Sequence, residues 1–202
     1  MSLRGYFSES ARILESAGEA WGEHLLSEAI SSMTAALGSG KPLLICGNGG
    51  SASDAMHITG ELVGRFLLER RALKAICLSS NPAVLTAWAN DYSFETVFSR
   101  QVEAYGEPGA AILGISTSGN SKNVIEAFRQ ARSMGMTTIA LTGEGGGRLA
   151  PLSDYLFAVP SKSTPMIQQV HICLYHYLCE AIEGALASAG TPDRLVADAA
   201  IR

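Results

Sequence analysis

The run Ala110-Ala111-Ile112-Leu113-Gly114-Ile115, followed at once by Ser116-Thr117-Ser118-Gly119-Asn120-Ser121, decides the fold of this chain. The first six residues are apolar without alternation, the pattern of a strand buried on both faces, as in a parallel sheet. Positions 122–134 then repeat apolar residues at helical spacing. A strand therefore delivers a hydroxyl-rich turn to a helix N-terminus. That end of a helix carries unpaired N–H groups and partial positive charge, and together with hydroxyls it suits a phosphate dianion. Ser118 or Asn120 acting only as a helix cap is the plainer alternative. A cap needs one such residue, and six consecutive polar or glycine residues exceed that need.

The same alternation extends in both directions. Short apolar or β-branched strands are expected at 43–46, 75–78, 112–115, 137–141 and 155–159. Helices are expected at 53–68, 81–89, 93–104, 123–134 and 165–187, with Asn81 as a cap and Pro82 at the first helical position. The first forty residues read as helices ending at Gly38-Ser39-Gly40. Strands separated by helices imply right-handed βαβ units. The expected architecture is α/β, with five parallel strands and helices on both faces, preceded by N-terminal helices. One domain over 1–202 is the economical division, with helices over 1–40 and an α/β core over 41–202. In such sheets ligands bind beyond the strand C-terminal ends, where both polar turns of this chain fall.

Composition bounds the function. Of 202 residues, 47% are hydrophobic and 17% charged, which is globular and not disordered. A formal net charge of −4 argues against a general nucleic-acid binder. No apolar run is long enough for a membrane helix, and the first ten residues lack the apolar core of a signal peptide. Cys46, Cys77, Cys173 and Cys179 form no Cys-x-x-Cys pair and lie among apolar residues. Buried free thiols in a reducing cytoplasm are expected.

A second polar turn, Gly47-Asn48-Gly49-Gly50-Ser51-Ala52-Ser53, follows the first strand. It matches neither a Walker loop nor a dinucleotide fingerprint in register. Its glycines admit close backbone approach to a ligand, and an ordinary tight turn explains them equally well. On the next helix lie Asp54, His57 and Glu61. His57 and Glu61 are four apart and share a face, which suits a divalent cation such as zinc or a helix-stabilising contact. Apolar Met56, Ile58, Leu62 and Val63 imply that this helix is largely buried. The last helix carries Gln168, Gln169, His171 and His176. Gln168 and His176 are about 80° apart around the axis and about 12 Å along it, so they face one region. His171 lies off that face and is expected to be a core or interface histidine.

These ordered motifs make the chain resemble the sugar isomerase (SIS) domain superfamily, and within it the branch that isomerises seven-carbon sugar phosphates. The resemblance is carried by 46–57, by Glu61-Leu62-Val63-Gly64-Arg65-Phe66, by Ala89-Asn90-Asp91-Tyr92, by 98–103, by the Ser116 to Ser121 turn, and by Ile167-Gln168 with His176. It implies a flavodoxin-like three-layer sandwich assembled as a homotetramer with active sites at subunit interfaces. It implies sugar-phosphate binding by Asn48, Gly49, Gly50, Ser51, Arg65, Asn90, Asp91, Ser116, Thr117, Ser118, Ser121 and Gln168. It implies zinc, one per subunit, held by His57, Glu61, Gln168 and His176. The implied reaction is aldose–ketose isomerisation through an enediol, with Glu61 as base, His176 as acid and zinc polarising the carbonyl. Rival readings are an isomerase of another sugar phosphate, a non-catalytic tetramer that binds the replication initiator, and a sugar-phosphate-sensing regulator. In the branch, the last helix commonly opens with a basic residue, Ile, Gln and Glu; here it reads Met166-Ile167-Gln168-Gln169.

Overall fold

Five short strands carry the expected apolar runs: β1 (Leu43–Gly47), β2 (Ala75–Cys77), β3 (Ala111–Ser116), β4 (Thr137–Thr142) and β5 (Tyr155–Ala158). In the computed structural model, which describes residues 2–187, they form one sheet of order β2-β1-β3-β4-β5. Every pairing is parallel. This is the flavodoxin-like order, whose chain reverses direction between β1 and β3. Positions 188–202, the end of the expected single domain, lie outside the described residues.

The absence of alternation in the strands has its cause in two apolar layers. Leu43, Ile45, Leu113, Ile115, Ile139, Leu141 and Phe157 face one side, under α1 (Leu3–Gly38), α2 (Gly50–Val63) and α6 (Thr164–Ala187). Leu44, Cys46, Ile112 and Ala140 face the other, under α3 (Pro82–Asp91), α4 (Val97–Tyr105) and α5 (Lys122–Ser133). A third cluster joins Ile13 and Ala17 of α1 to Met166, Ile167 and Val170 of α6. The N-terminal segment is two helical stretches meeting at a kink at Gly22, where φ is 65° and ψ 153°. Trp21 sits at that kink. Its indole donates to the Ala158 carbonyl at 3.1 Å and meets the Phe157 ring edge-on at 5.4 Å.

Three expectations about elements change. Helix α2 ends at Val63 and not near 68. The N–H groups of Phe66, Leu67 and Leu68 donate instead to the Glu183 carboxylate, at 2.9, 2.6 and 2.8 Å, so the chain leaves the helix to reach α6. The helix expected at 93–104 divides into a 3-10 turn, Phe94–Thr96, and α4, with Ser93 accepting from the Glu95 N–H. Helix α2 is also less buried than its composition implies. Ser51, Asp54, Ala55, Ile58 and Leu62 are covered, but Met56 and Val63 are about half exposed. Asn81 caps α3 as expected, accepting from Ala83 and Val84. Cys46, Cys77 and Cys179 are buried and unpaired, whereas Cys173 is exposed on α6, which corrects the expectation of four buried thiols.

Candidate functional site

The polar turns lie at the C-terminal ends of β1 and β3, the two strands that flank the direction reversal. The capping explanation for the Ser116 to Ser121 turn fails. Ser121 occupies the cap position of α5, but its side chain accepts no N–H of the helix, and no acidic residue lies in the first turn. Ser118 Oγ accepts from the Asn120 N–H within the turn, and Asn120 Oδ1 accepts from the Arg148 N–H. Ser116 and Ser121 hydroxyls meet at 2.8 Å. Helix α2 likewise starts on Gly49, at φ 56°, with no side-chain cap. Positive φ there suits glycine alone among common residues. Two helix N-termini with no side-chain bond from the cap residue and no acidic residue in the first turn thus flank the switch point, the electrostatic setting for an anion.

A residue that sequence reasoning missed ties the two turns together. Asn48 and Asn123 exchange amide hydrogen bonds of 2.8 Å in each direction. Asn123 is buried in the first turn of α5. Its only sequence signal was a polar residue on an otherwise apolar helix face. Ser79 braces the base of the glycine turn, its hydroxyl donating to the Gly47 carbonyl at 2.8 Å.

Helix α6 brings the remaining residues. Gln168 rests on Gly50 so closely that a Cβ there would run into its amide. At the other end of the α2–α6 seam, His57, Glu61 and His176 converge, their ligand atoms all within 4.8 Å of one another. His57 Nε2 and Glu61 Oε1 are 3.0 Å apart. A tetrahedral site with bonds near 2.1 Å separates its ligand atoms by about 3.4 Å, so small side-chain adjustments close this cluster around one ion. Two imidazoles and a carboxylate are a donor set suited to zinc. About 10 Å of helix rise separates Gly50 from His57, and the Gln168 amide enters the seam from the Gly50 end. The rings of His57 and His176 meet edge-on at 5.1 Å, and Phe66 stacks on His176 at 5.7 Å. Tyr175 is buried, and its hydroxyl is 3.0 Å from His57 Nδ1. Burial pushes that hydroxyl well above the usual phenol range, and the neighbouring Asp54 carboxylate adds to the effect.

Other expected residues have local partners of their own. Arg65 pairs with Glu69 at 3.1 Å, both exposed. Asn90 donates to Asp91 at 2.8 Å at the exposed end of α3. His171 is fully buried, and its Nε2 contacts the Thr142 carbonyl at 3.1 Å, so it is the core histidine expected from the helical wheel. Met166 and Gln169, the two departures from the branch pattern, face α1. Met166 is buried beside Ser10, and Gln169 donates to the Tyr6 hydroxyl at 2.9 Å. Both residues contact the N-terminal helix.

Hydroxyl and glycine turns at the switch point of a five-stranded parallel sheet mark a sugar isomerase domain. Residues 5–143 match the SIS domain family. A phosphoheptose isomerase from Crocosphaera subtropica is 56% identical over 152 residues, 75% of this chain and 78% of the relative. One from Aquifex aeolicus is 49% identical over 181 residues, 90% of this chain and 94% of the relative. The structure of the phosphoheptose isomerase from Neisseria gonorrhoeae superposes with a TM-score of 0.84 at 40% identity, covering 90% of this chain and 97% of that one. The chain belongs to the SIS domain family and, within it, to the phosphoheptose isomerases, which are sugar-phosphate isomerases.

Proposed function

We propose that this chain interconverts sedoheptulose 7-phosphate and D-glycero-D-manno-heptose 7-phosphate. The observation that carries the proposal is the seam between α2 and α6. Its one end is the uncapped glycine turn with Gln168 against it, and its other end is the His57–Glu61–His176 cluster. The substrate phosphate lies in the turns contributed by Asn48, Gly49, Gly50 and Ser51 and by Ser116, Thr117, Ser118 and Ser121. Phosphate affinity there holds the sugar at a distance from the reacting carbons, so binding energy serves positioning. Arg65, Asn90 and Asp91 are assigned to the sugar or phosphate.

Zinc, one per subunit, is the proposed ion, held by His57, Glu61 and His176 with the Gln168 carboxamide as the expected fourth donor. When bound, it would polarise the substrate carbonyl. Glu61 removes the proton from the carbon beside the carbonyl and returns it to the neighbouring carbon, through an enediol. His176 moves protons between the two oxygens. Groups positioned in this way contribute about 10²–10⁴-fold each. The stacked Phe66 ring holds His176 in place and excludes water from one face.

Assembly as a homotetramer is proposed on the same footing. Its support is the exposure of His57 among half-exposed Met56 and Val63, which leaves one side of the cluster open in a single chain. A cytoplasmic setting is supported by the unpaired cysteines. The test is incubation with sedoheptulose 7-phosphate before and after stripping with a chelator, reading the aldose product. Product formation that stops on stripping and returns with zinc is expected. Turnover indifferent to the chelator removes the metal, and no aldose from any preparation removes the substrate assignment.

A further inference from the structure

His57 has two ring nitrogens with different neighbours. Nε2 faces Glu61 at 3.0 Å, on the side where His176 also converges. Nδ1 faces the Tyr175 hydroxyl at 3.0 Å. Behind that hydroxyl lies the carboxylate of Asp54, a residue only 8% exposed, whose Oδ2 has no hydrogen-bond partner although it is buried. A buried carboxylate oxygen requires a donor, and the nearby hydroxyl has one proton to give.

With no ion between them, Nε2–H donates to the Glu61 carboxylate, which only accepts, so Nδ1 takes the Tyr175 hydroxyl proton and Asp54 Oδ2 is left without a donor. We propose that Asp54 and Tyr175 are positioning residues that hold the opposite tautomer of His57 once an ion is bound, so that Nε2 gives its lone pair to the ion shared with Glu61 and His176. The inference rests on the metal site proposed above. A neutral imidazole carries one N–H, and the partner of that N–H decides which nitrogen remains a ligand atom. A hydroxyl can either accept from Nδ1–H or donate to a bare Nδ1. If it donates to Nδ1, the ring proton goes to Nε2 and blocks coordination. The Asp54 carboxylate accepts only, so it draws the Tyr175 proton away from His57. The phenol oxygen is then an acceptor, Nδ1 holds the ring proton, and Nε2 is free. No proton is gained or lost in this chain of bonds, Nδ1–H to the phenol oxygen and phenol O–H to the carboxylate. Edge-on ring packing of Tyr175 against both His57 and His176, at 5.5 and 4.8 Å, holds the hydroxyl in register.

The test measures zinc affinity of the metal-stripped full chain by competition with a chromophoric chelator. Tyr175→Phe keeps the buried ring and removes the acceptor, and weakens zinc binding by about 10–100-fold. Asp54→Ala weakens it at least as much, because the released hydroxyl now donates to Nδ1. The double variant matches Tyr175→Phe alone, since Asp54 acts only through the hydroxyl. In the zinc-loaded wild type, nitrogen-15 spectra show a slowly exchanging His57 Nδ1–H that Tyr175→Phe exposes to exchange. Equal zinc affinity in wild type and Tyr175→Phe overturns the proposal and leaves the metal site standing. A wild type that binds no zinc overturns both. A double variant weaker than either single one shows two independent packing effects and also overturns the relay. Should Asp54→Ala fail to fold, Tyr175→Phe alone decides.

Discussion

The carboxamides of Asn48 and Asn123 face each other and exchange two 2.8 Å hydrogen bonds across the β1/β3 switch point. One belongs to the glycine turn, the other to the first turn of the helix that follows the hydroxyl turn. The pair therefore fixes the spacing of two loops that no backbone ladder joins beyond the strand ends. Asn123→Ala removes both bonds and leaves the Asn48 amide to find water. The expected result is a KM for the sugar phosphate raised about tenfold, the equivalent of about 1.4 kcal/mol, with kcat changed less. Steady-state kinetics measures this, and an unchanged KM would show that the loops hold their spacing without the pair.

Glu61 is assigned the proton transfer at carbon. Glu61→Gln keeps size and polarity and removes the base, so kcat is expected to fall by at least 10²-fold. Calorimetry on the same variant should still detect sugar-phosphate binding, because the phosphate turns lie elsewhere on the seam. Near-normal turnover in that variant would take Glu61 out of the base role.

Much of this was legible in the sequence. Five strands, their parallel sense, both switch-point turns, the off-face position of His171 and the Asn81 cap followed from periodicity and polar punctuation. What could not be read depends on distant partners. The end of α2 is set by Glu183, more than a hundred positions away, which takes up three N–H groups that would otherwise continue the helix. The Asn48–Asn123 pair and the Tyr175 contact with His57 join residues 75 and 118 positions apart. Met56 and Val63 have the composition of a covered face, yet stay half exposed in the single chain. Residue type records that a surface is apolar, not which surface covers it.

Glu183 is a buried polar node of the fold. Besides three backbone donors, its Oε1 lies 3.2 Å from Arg70 Nε, and both side chains are buried. Arg70 in turn donates to the Glu61 carbonyl at 2.7 Å. Burial alone would raise the Glu183 carboxyl; the N–H groups of Phe66, Leu67 and Leu68 and the Arg70 charge hold it below the usual carboxylate range. Glu183→Ala leaves a buried guanidinium unpaired, and a loss of about 3–5 kcal/mol is expected from urea unfolding. Amide exchange at 66–68 should accelerate in the same variant. A loss below about 1 kcal/mol would show that water replaces the carboxylate without penalty.

His171 sets an acid limit. Burial lowers its pKa from 6.5 to about 4, and the contact with the Thr142 carbonyl opposes this only in part. Between those values the unfolded chain binds a proton that the folded chain refuses. Stability is therefore complete above pH 6.5 and declines as pH falls toward 4, by up to about 3 kcal/mol from this group. Glu183 acts in a lower window, since a depressed carboxyl loses its contribution only as pH falls below the unfolded carboxylate value. Urea unfolding at pH 7, 5.5 and 4 should show the first slope, and His171→Gln should flatten it between pH 6.5 and 4.5. An unaltered slope in that variant assigns the acid sensitivity to other groups.

Trp21 and Trp88 are the chain's two tryptophans. Trp21, wedged between the bend at Gly22 and Phe157, emits from the joint where the leading helix meets the last strand. Trp88, stacked on Tyr92 and under Arg100, emits from the opposite layer. Loosening of the leading helix should thus redden one fluorophore while its counterpart stays constant. Replacing Trp88 with phenylalanine would turn the remaining emission into an optical gauge of that joint alone.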